Sequence, residues 1–174
     1  MRAYVALALV GCGRTAPPPP VVHDSNETFV AFTATFQSFR SWTSFHSDGP
    51  PDDGTYTIDV LGPRTQYLDA APPHGATEFP IGTVIVEARE SGAKLLLAGV
   101  KRGGGFNGGG ATNWEWFSLH EDPDTHVVSV LWRGLAPPAG GYGGLPSGGC
   151  YECHAACGGG NDFVCSPKLQ LASF

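Results

Sequence analysis

The stretch TVIVEARESGAKLLLAGV, residues 83–100, decides the fold. Two apolar runs, Thr83 to Glu87 and Lys94 to Val100, flank the turn-forming pair Ser91-Gly92, which is the pattern of a β-hairpin. Working outward, further short runs separated by breakers read as strands. Upstream, Tyr56 to Leu61 and Arg64 to Leu68 are split by Gly62-Pro63. Downstream, Asn113 to Leu119 alternates Trp114, Trp116 and Ser118 against Glu115, Phe117 and Leu119, the two-residue period of a strand. Val127 to Trp132 is the last such run. Asp24 and Glu27 stand at capping-box spacing, and Phe29, Phe32, Phe36 and Phe39 then recur at three- and four-residue steps. This predicts an amphipathic helix over Thr28 to Trp42, lying on the sheet and ended by the turn chemistry of residues 49–54. The expected fold class is α+β: an antiparallel β-sheet domain with an N-terminal helix and a C-terminal helix.

Composition bounds the function. Glycine and proline number 25 and 15 of 174 residues, 41% of the chain is apolar and only 15% is charged. Long irregular connections between packed segments follow from these figures. A net charge of −6 offers no basic patch for nucleic acid. The Gly-rich stretch Gly103 to Gly110 has no Gly-Lys-Ser/Thr ending and does not sit between a strand and a helix, so it is no phosphate loop. Glu115, Asp122 and Asp124 read as solvated charges without chemistry.

The first residues read as targeting sequence. Arg2 precedes the apolar run Ala3 to Val10, and Leu9-Val10-Gly11-Cys12 resembles a bacterial lipobox whose cysteine becomes lipidated. A plain secretory signal is the alternative. The expected organisation is a lipoprotein-type signal peptide over residues 1–11, a Pro-rich linker over 12–23 and one domain over 24–174. Lipidation at Cys12 would make the anchor the only membrane contact. Either signal places the protein in the periplasm or at the cell surface of a bacterium, where disulfides persist.

Cys150-Tyr151-Glu152-Cys153-His154 carries the chemistry. C-x-x-C-H is the attachment motif of a c-type haem. Two thiols on one helical turn can each form a thioether, and the adjacent His154 falls under the iron as its axial ligand. The C-terminal helix is therefore expected to be the haem-binding one. Three other readings use the same cysteines: a C-x-x-C redox site, a zinc site with Cys157 and Cys165, and a pair of disulfides. With Cys12 lipidated and Cys150 and Cys153 on one haem c, Cys157 and Cys165 remain to bridge. The one methionine, Met1, precedes the cleavage point and cannot be a sixth ligand. His23, His46, His74, His120 and His126 are the remaining candidates, and a five-coordinate iron open to a small ligand is the favoured expectation.

Several stretches together resemble the cytochrome P-460 family and its gas-binding relative, cytochrome c prime-beta. They are Phe39-Arg40-Ser41-Trp42, residues 64–69 (RTQYLD), residues 79–86 (FPIGTVIV), residues 113–117 (NWEWF), Cys150 to His154, and Asp162-Phe163-Val164. The resemblance implies an antiparallel sheet, commonly a homodimer, with Cys150 and Cys153 as thioether positions and His154 as proximal ligand. It also implies that Arg64 lies in the haem pocket as a weaker, catalytic candidate. Family members that oxidise hydroxylamine carry a porphyrin-linked lysine where this chain has Glu87, and a carboxylate where it has Leu97. Lys94 and Lys101 flank that strand and leave a shifted cross-link open. The expectation is an exported monohaem cytochrome that binds or converts small nitrogen oxides such as nitric oxide, with an unidentified electron-transfer partner. A hydroxylamine-oxidising enzyme, a His/His electron carrier and a haem-free, disulfide-stapled lipoprotein are the alternatives.

Overall fold

Strand alternation builds the architecture. In a computed structural model that describes residues 26–48, 63–89, 96–135 and 150–174, six strands form one sheet in sequence order. They are β1 (Thr43–Ser47), β2 (Arg64–Leu68), β3 (Val84–Arg89), β4 (Leu96–Lys101), β5 (Trp114–Glu121) and β6 (Val128–Gly134). Every neighbouring pair is antiparallel. Successive side chains point to opposite faces, so two separate cores result. Val84, Val86, Ala88, Leu96, Ala98, Val100, Phe117 and Leu119 build one. Leu68, Ile85, Trp114 and Trp116 build the other. The N-terminal segment covers the first face. The C-terminal segment, containing the seven-residue helix α1 (Cys150–Ala156), covers the second.

The expected N-terminal helix is corrected by the structure, and with it the α+β class: the described fold is a six-stranded antiparallel sheet with short helical turns. Residues 28–42 form two separate 3-10 turns, Thr33–Phe36 and Phe39–Ser41. Thr28 instead bridges to Gly103, and the Phe29 N–H donates to the Arg102 carbonyl at 2.8 Å. Gly103 permits this approach: its φ is +75° and a Cβ there would lie 2.4 Å from the Glu27 carbonyl oxygen. Helix propensity also works against the expectation, because Thr28, Val30, Thr33 and Thr35 are β-branched and Thr35 accepts a hydrogen bond from the Phe32 N–H. Phe36 and Phe39 are buried, whereas Phe32 is 65% exposed. Gln37 acts as a clasp, donating to the Val128 carbonyl at 2.7 Å and accepting from the Val128 N–H at 3.0 Å.

Two further readings change. The strand Thr43–Ser47 was not expected and pairs along its whole length with β2. Glu115 is buried, not solvated: Arg133 grips both its oxygens at 2.8 Å and Arg102 adds a contact at 3.2 Å. Arg133 also donates to the Ala31 carbonyl, tying the N-terminal segment to the sheet. Residues 1–25, the Tyr56 to Leu61 run and the Ser91-Gly92 turn lie outside the described residues.

The two 3-10 turns predict unequal roles for four phenylalanines that a helix would have placed on one face. Phe36 packs against Phe117 with ring centroids 5.1 Å apart and planes tilted by 56°, and is fully buried. Phe36→Ala is expected to lower unfolding free energy by about 3–5 kcal/mol, and Phe32→Ala by less than about 0.5 kcal/mol. Urea titration of both variants measures this, and equal large losses would restore the helix.

Candidate functional site

Helix α1 lies against β5. Cys150, Cys153 and His154 stand at i, i+3 and i+4 and so share one face of the helix. Cys150 and Tyr151 pack on the core of the second sheet face, and the Tyr151 N–H donates to the Leu135 carbonyl at the end of β6. Gly110 makes room for this contact, since a Cβ there would lie 2.9 Å from the Tyr151 ring. Both motif cysteines are free thiols. Burial pushes the Cys150 thiol up to about 11 and the Cys153 thiol in the same direction.

His154 is held from two sides. Its ring lies 5.2 Å from that of Trp116, tilted by 38°. Its Nδ1 is 2.8 Å from the Phe163 carbonyl oxygen. A carbonyl can only accept, so Nδ1 carries the proton and Nε2 keeps its lone pair. Burial holds this imidazole below the usual histidine range, which favours the neutral, ligating form.

The loop that supplies that carbonyl is closed by a disulfide, Cys157–Cys165, with Cα atoms 5.4 Å apart. Cys165 Sγ itself lies 3.7 Å from His154 Nδ1. Inside the loop, Asp162 and Phe163 both adopt left-handed backbone angles, with φ of 50° and 63°. Asp162 is buried and meets Lys101 Nζ through Oδ1, while its Oδ2 accepts from the Phe79 N–H at 2.9 Å. Trp114 Nε1 donates to the Asp162 carbonyl at 2.8 Å. Burial raises the Asp162 carboxyl, and the Lys101 ammonium opposes that shift.

Fit to the expected groups follows from this geometry. A four-cysteine zinc site would need Cys157 and Cys165, which are bonded to each other. No cluster of three or more His, Cys, Asp or Glu suited to a metal ion occurs among the described residues. A porphyrin supplies four nitrogens of its own, so it asks one imidazole and two thiols of the protein, and α1 presents those three. The βαβ unit that carries a C-x-x-C redox site is absent from the all-antiparallel described sheet.

Arg64, the other candidate, is buried on β2 with its Nε 3.2 Å from Glu87 Oε2. Gln66 donates to the same carboxylate at 3.0 Å, and the Ser166 hydroxyl donates to Gln66. Burial raises the Glu87 carboxyl, against the pull of Arg64. Register places Arg64, Gln66 and Glu87 on the sheet face of Trp116, with Leu97 directly opposite Glu87. Leu96 points into the other core, so Leu97 alone of that described pair faces the site side. Thus this face does hold a carboxylate, Glu87, although Leu97 opposite it is apolar. Lys101 Nζ is engaged by Asp162, which disfavours it as a porphyrin link. Lys94, Leu95, His23 and Cys12 lie outside the described residues. His46, His74, His120 and His126 are all exposed.

Sequence reasoning missed Lys101, Asp162 and the Phe163 carbonyl. Lys101 carried a signal: it falls in phase with Leu97 and Gly99 on an otherwise apolar strand, where a charge needs a buried partner. Trp116 showed as one half of an alternation, without indicating its contact with His154. No protein-family model matches the chain, and neither a curated protein nor a solved structure matches it.

Thiol chemistry separates the two cysteine pairs. In haem-free protein, iodoacetamide is expected to label Cys150 and Cys153 without reductant, and Cys157 and Cys165 only after reduction. With its thiol raised to about 11, Cys150 should react at pH 8 about one to two orders of magnitude more slowly than an exposed thiol. Peptide mass spectrometry over a time course reads both outcomes.

Proposed function

We propose that this chain is an exported monohaem c-type cytochrome that binds a small nitrogen oxide such as nitric oxide. One observation carries the reading: two free thiols and an imidazole share one helical face, and the imidazole's Nδ1–H is directed at the Phe163 carbonyl. Cys150 and Cys153 would form the thioethers, and His154 Nε2 would be the proximal ligand. Bound there, the haem would supply an iron whose remaining axial face accepts a diatomic molecule. The chain's residues prepare that site. The Phe163 carbonyl fixes the imidazole tautomer and strengthens its donor character. Trp116 limits the tilt of the ring.

An open sixth position is supported by the exposure of His46, His74, His120 and His126, and by the loss of Met1 that signal cleavage would entail. Leu97, on the site's sheet face, offers no hydrogen bond to a ligand, and the Glu87 carboxylate opposite it is engaged by Arg64 and Gln66. Resemblance to cytochrome P-460 and cytochrome c prime-beta points the same way. The Cys157–Cys165 bridge fits an oxidising compartment, in keeping with export to the periplasm or cell surface and with Cys12 as a lipid anchor. Homodimerisation belongs to the same proposal.

The reading is tested in a bacterial host that assembles c-type cytochromes. Purified protein is expected to give a pyridine haemochrome and one haem's added mass. The reduced form should be five-coordinate and change its spectrum with nitric oxide. Cys150→Ala/Cys153→Ala should abolish covalent attachment. Colourless wild-type protein from that host overturns the proposal, and a six-coordinate resting spectrum overturns the open site.

A further inference from the structure

The buried pair of Lys101 and Asp162 is expensive for a fold that could have used two apolar residues there. Lys101 is the last residue of β4 and is 1% exposed. Its ammonium meets Asp162 Oδ1 and lies 5.5 Å from the centroid of the Trp114 ring. Glu78, at 3.8 Å, is the outer partner and is largely exposed. Where Asp162 is held bears directly on the site. Asp162 and Phe163 form two successive left-handed residues, a conformation that side-chain-bearing residues seldom adopt and that surrounding contacts must enforce. Those contacts converge on Asp162: Lys101 on one carboxylate oxygen, the Phe79 N–H on the other, and Trp114 Nε1 on its carbonyl. Backbone bonds from the Asp162 N–H to the Gly159 carbonyl and from the Phe163 N–H to the Gly158 carbonyl, both 3.1 Å, complete the turn. Its product is the Phe163 carbonyl aimed at His154 Nδ1.

We propose that Lys101 is a positioning residue for His154: by fixing Asp162, it fixes the direction of the Phe163 carbonyl and so the orientation and donor strength of the proximal imidazole. This rests on the haem reading above. The chain of action runs from Lys101 Nζ through the Asp162 carboxylate and one peptide unit to Phe163 O, then to His154 Nδ1–H. A firm Nδ1–H···O bond raises the basicity of Nε2 and favours ferric iron, and loosening it favours ferrous iron. The disulfide restrains the loop ends but not the Asp162–Phe163 peptide itself, which is why the ion pair has a separate role.

The test uses holoprotein and two readouts: the midpoint potential, which loss of a buried cation would by charge alone move toward ferric, and the Fe–His stretching band of the ferrous protein, which a purely structural lysine would leave alone. Lys101→Met is expected to move the ferric/ferrous equilibrium about tenfold toward ferrous, which is about 59 mV for a one-electron couple, and to lower the band. Lys101→Arg, which keeps the charge, should retain most of the wild-type potential. Should Lys101→Met fail to fold, Asp162→Asn, which still accepts from the Phe79 N–H, takes its place under the same criterion. A folded variant with wild-type potential and band overturns the role of Lys101 and leaves the haem reading standing. Wild-type protein that takes up no haem overturns both.

Discussion

Both faces of the sheet are apolar, and neither can be left to water. Antiparallel sheets commonly solvate one face and alternate polar with apolar residues. Here β5 buries six consecutive residues, Trp114 to Leu119, because Phe117 and Leu119 fill one core while Trp114 and Trp116 fill the other. Two coverings are therefore required, and the chain supplies them from its ends. Residues 26–42 close the first face. Residues 150–174 close the second, and in doing so lay α1 beside Trp116. The position of His154 is thus a by-product of sheet coverage: the segment that seals the second core is the same one that carries Cys150, Cys153 and His154.

Polar groups at the edges of these cores act as fasteners. Glu115 with Arg133 and Arg102 ties β5, β6 and the N-terminal segment together. Arg64, Gln66 and Glu87 tie β2 to β3, and Ser166 brings the C-terminal segment into that network. Lys101 and Asp162 fasten the same segment at the opposite margin of the sheet. Each network satisfies charges that would otherwise be stranded away from solvent, and none is formed between chain neighbours.

Local signals made the strands legible, and long-range ones did not. The alternation of Trp114 and Trp116 against Glu115 and Phe117, and the breakers beside Arg64, placed β5 and β2 closely. The C-x-x-C-H stretch announced a short helix with three groups on one side. Residues 28–42 misled because phenylalanine spacing suits a helix, while β-branched neighbours and hydrogen bonds to Arg102 and Val128 favour a broken path along the sheet. Nothing near Glu115 announces Arg133, and nothing near Lys101 announces Asp162, 61 positions later. Such pairings are created by topology, so a one-dimensional reading finds at most the anomaly of a charge in an apolar strand.

The small disulfide loop also bears on how the molecule matures. Four thiols lie within 16 residues, Cys150 to Cys165, and if the chain is exported and takes up haem as proposed, closure between the wrong two would block the motif. The native bridge joins the two thiols farther along the chain and leaves the helical pair reduced. Folding of the terminal segment thereby sorts the sulfur atoms into one staple and one free pair, and under the proposed haem reading that free pair would be the one left for thioether formation.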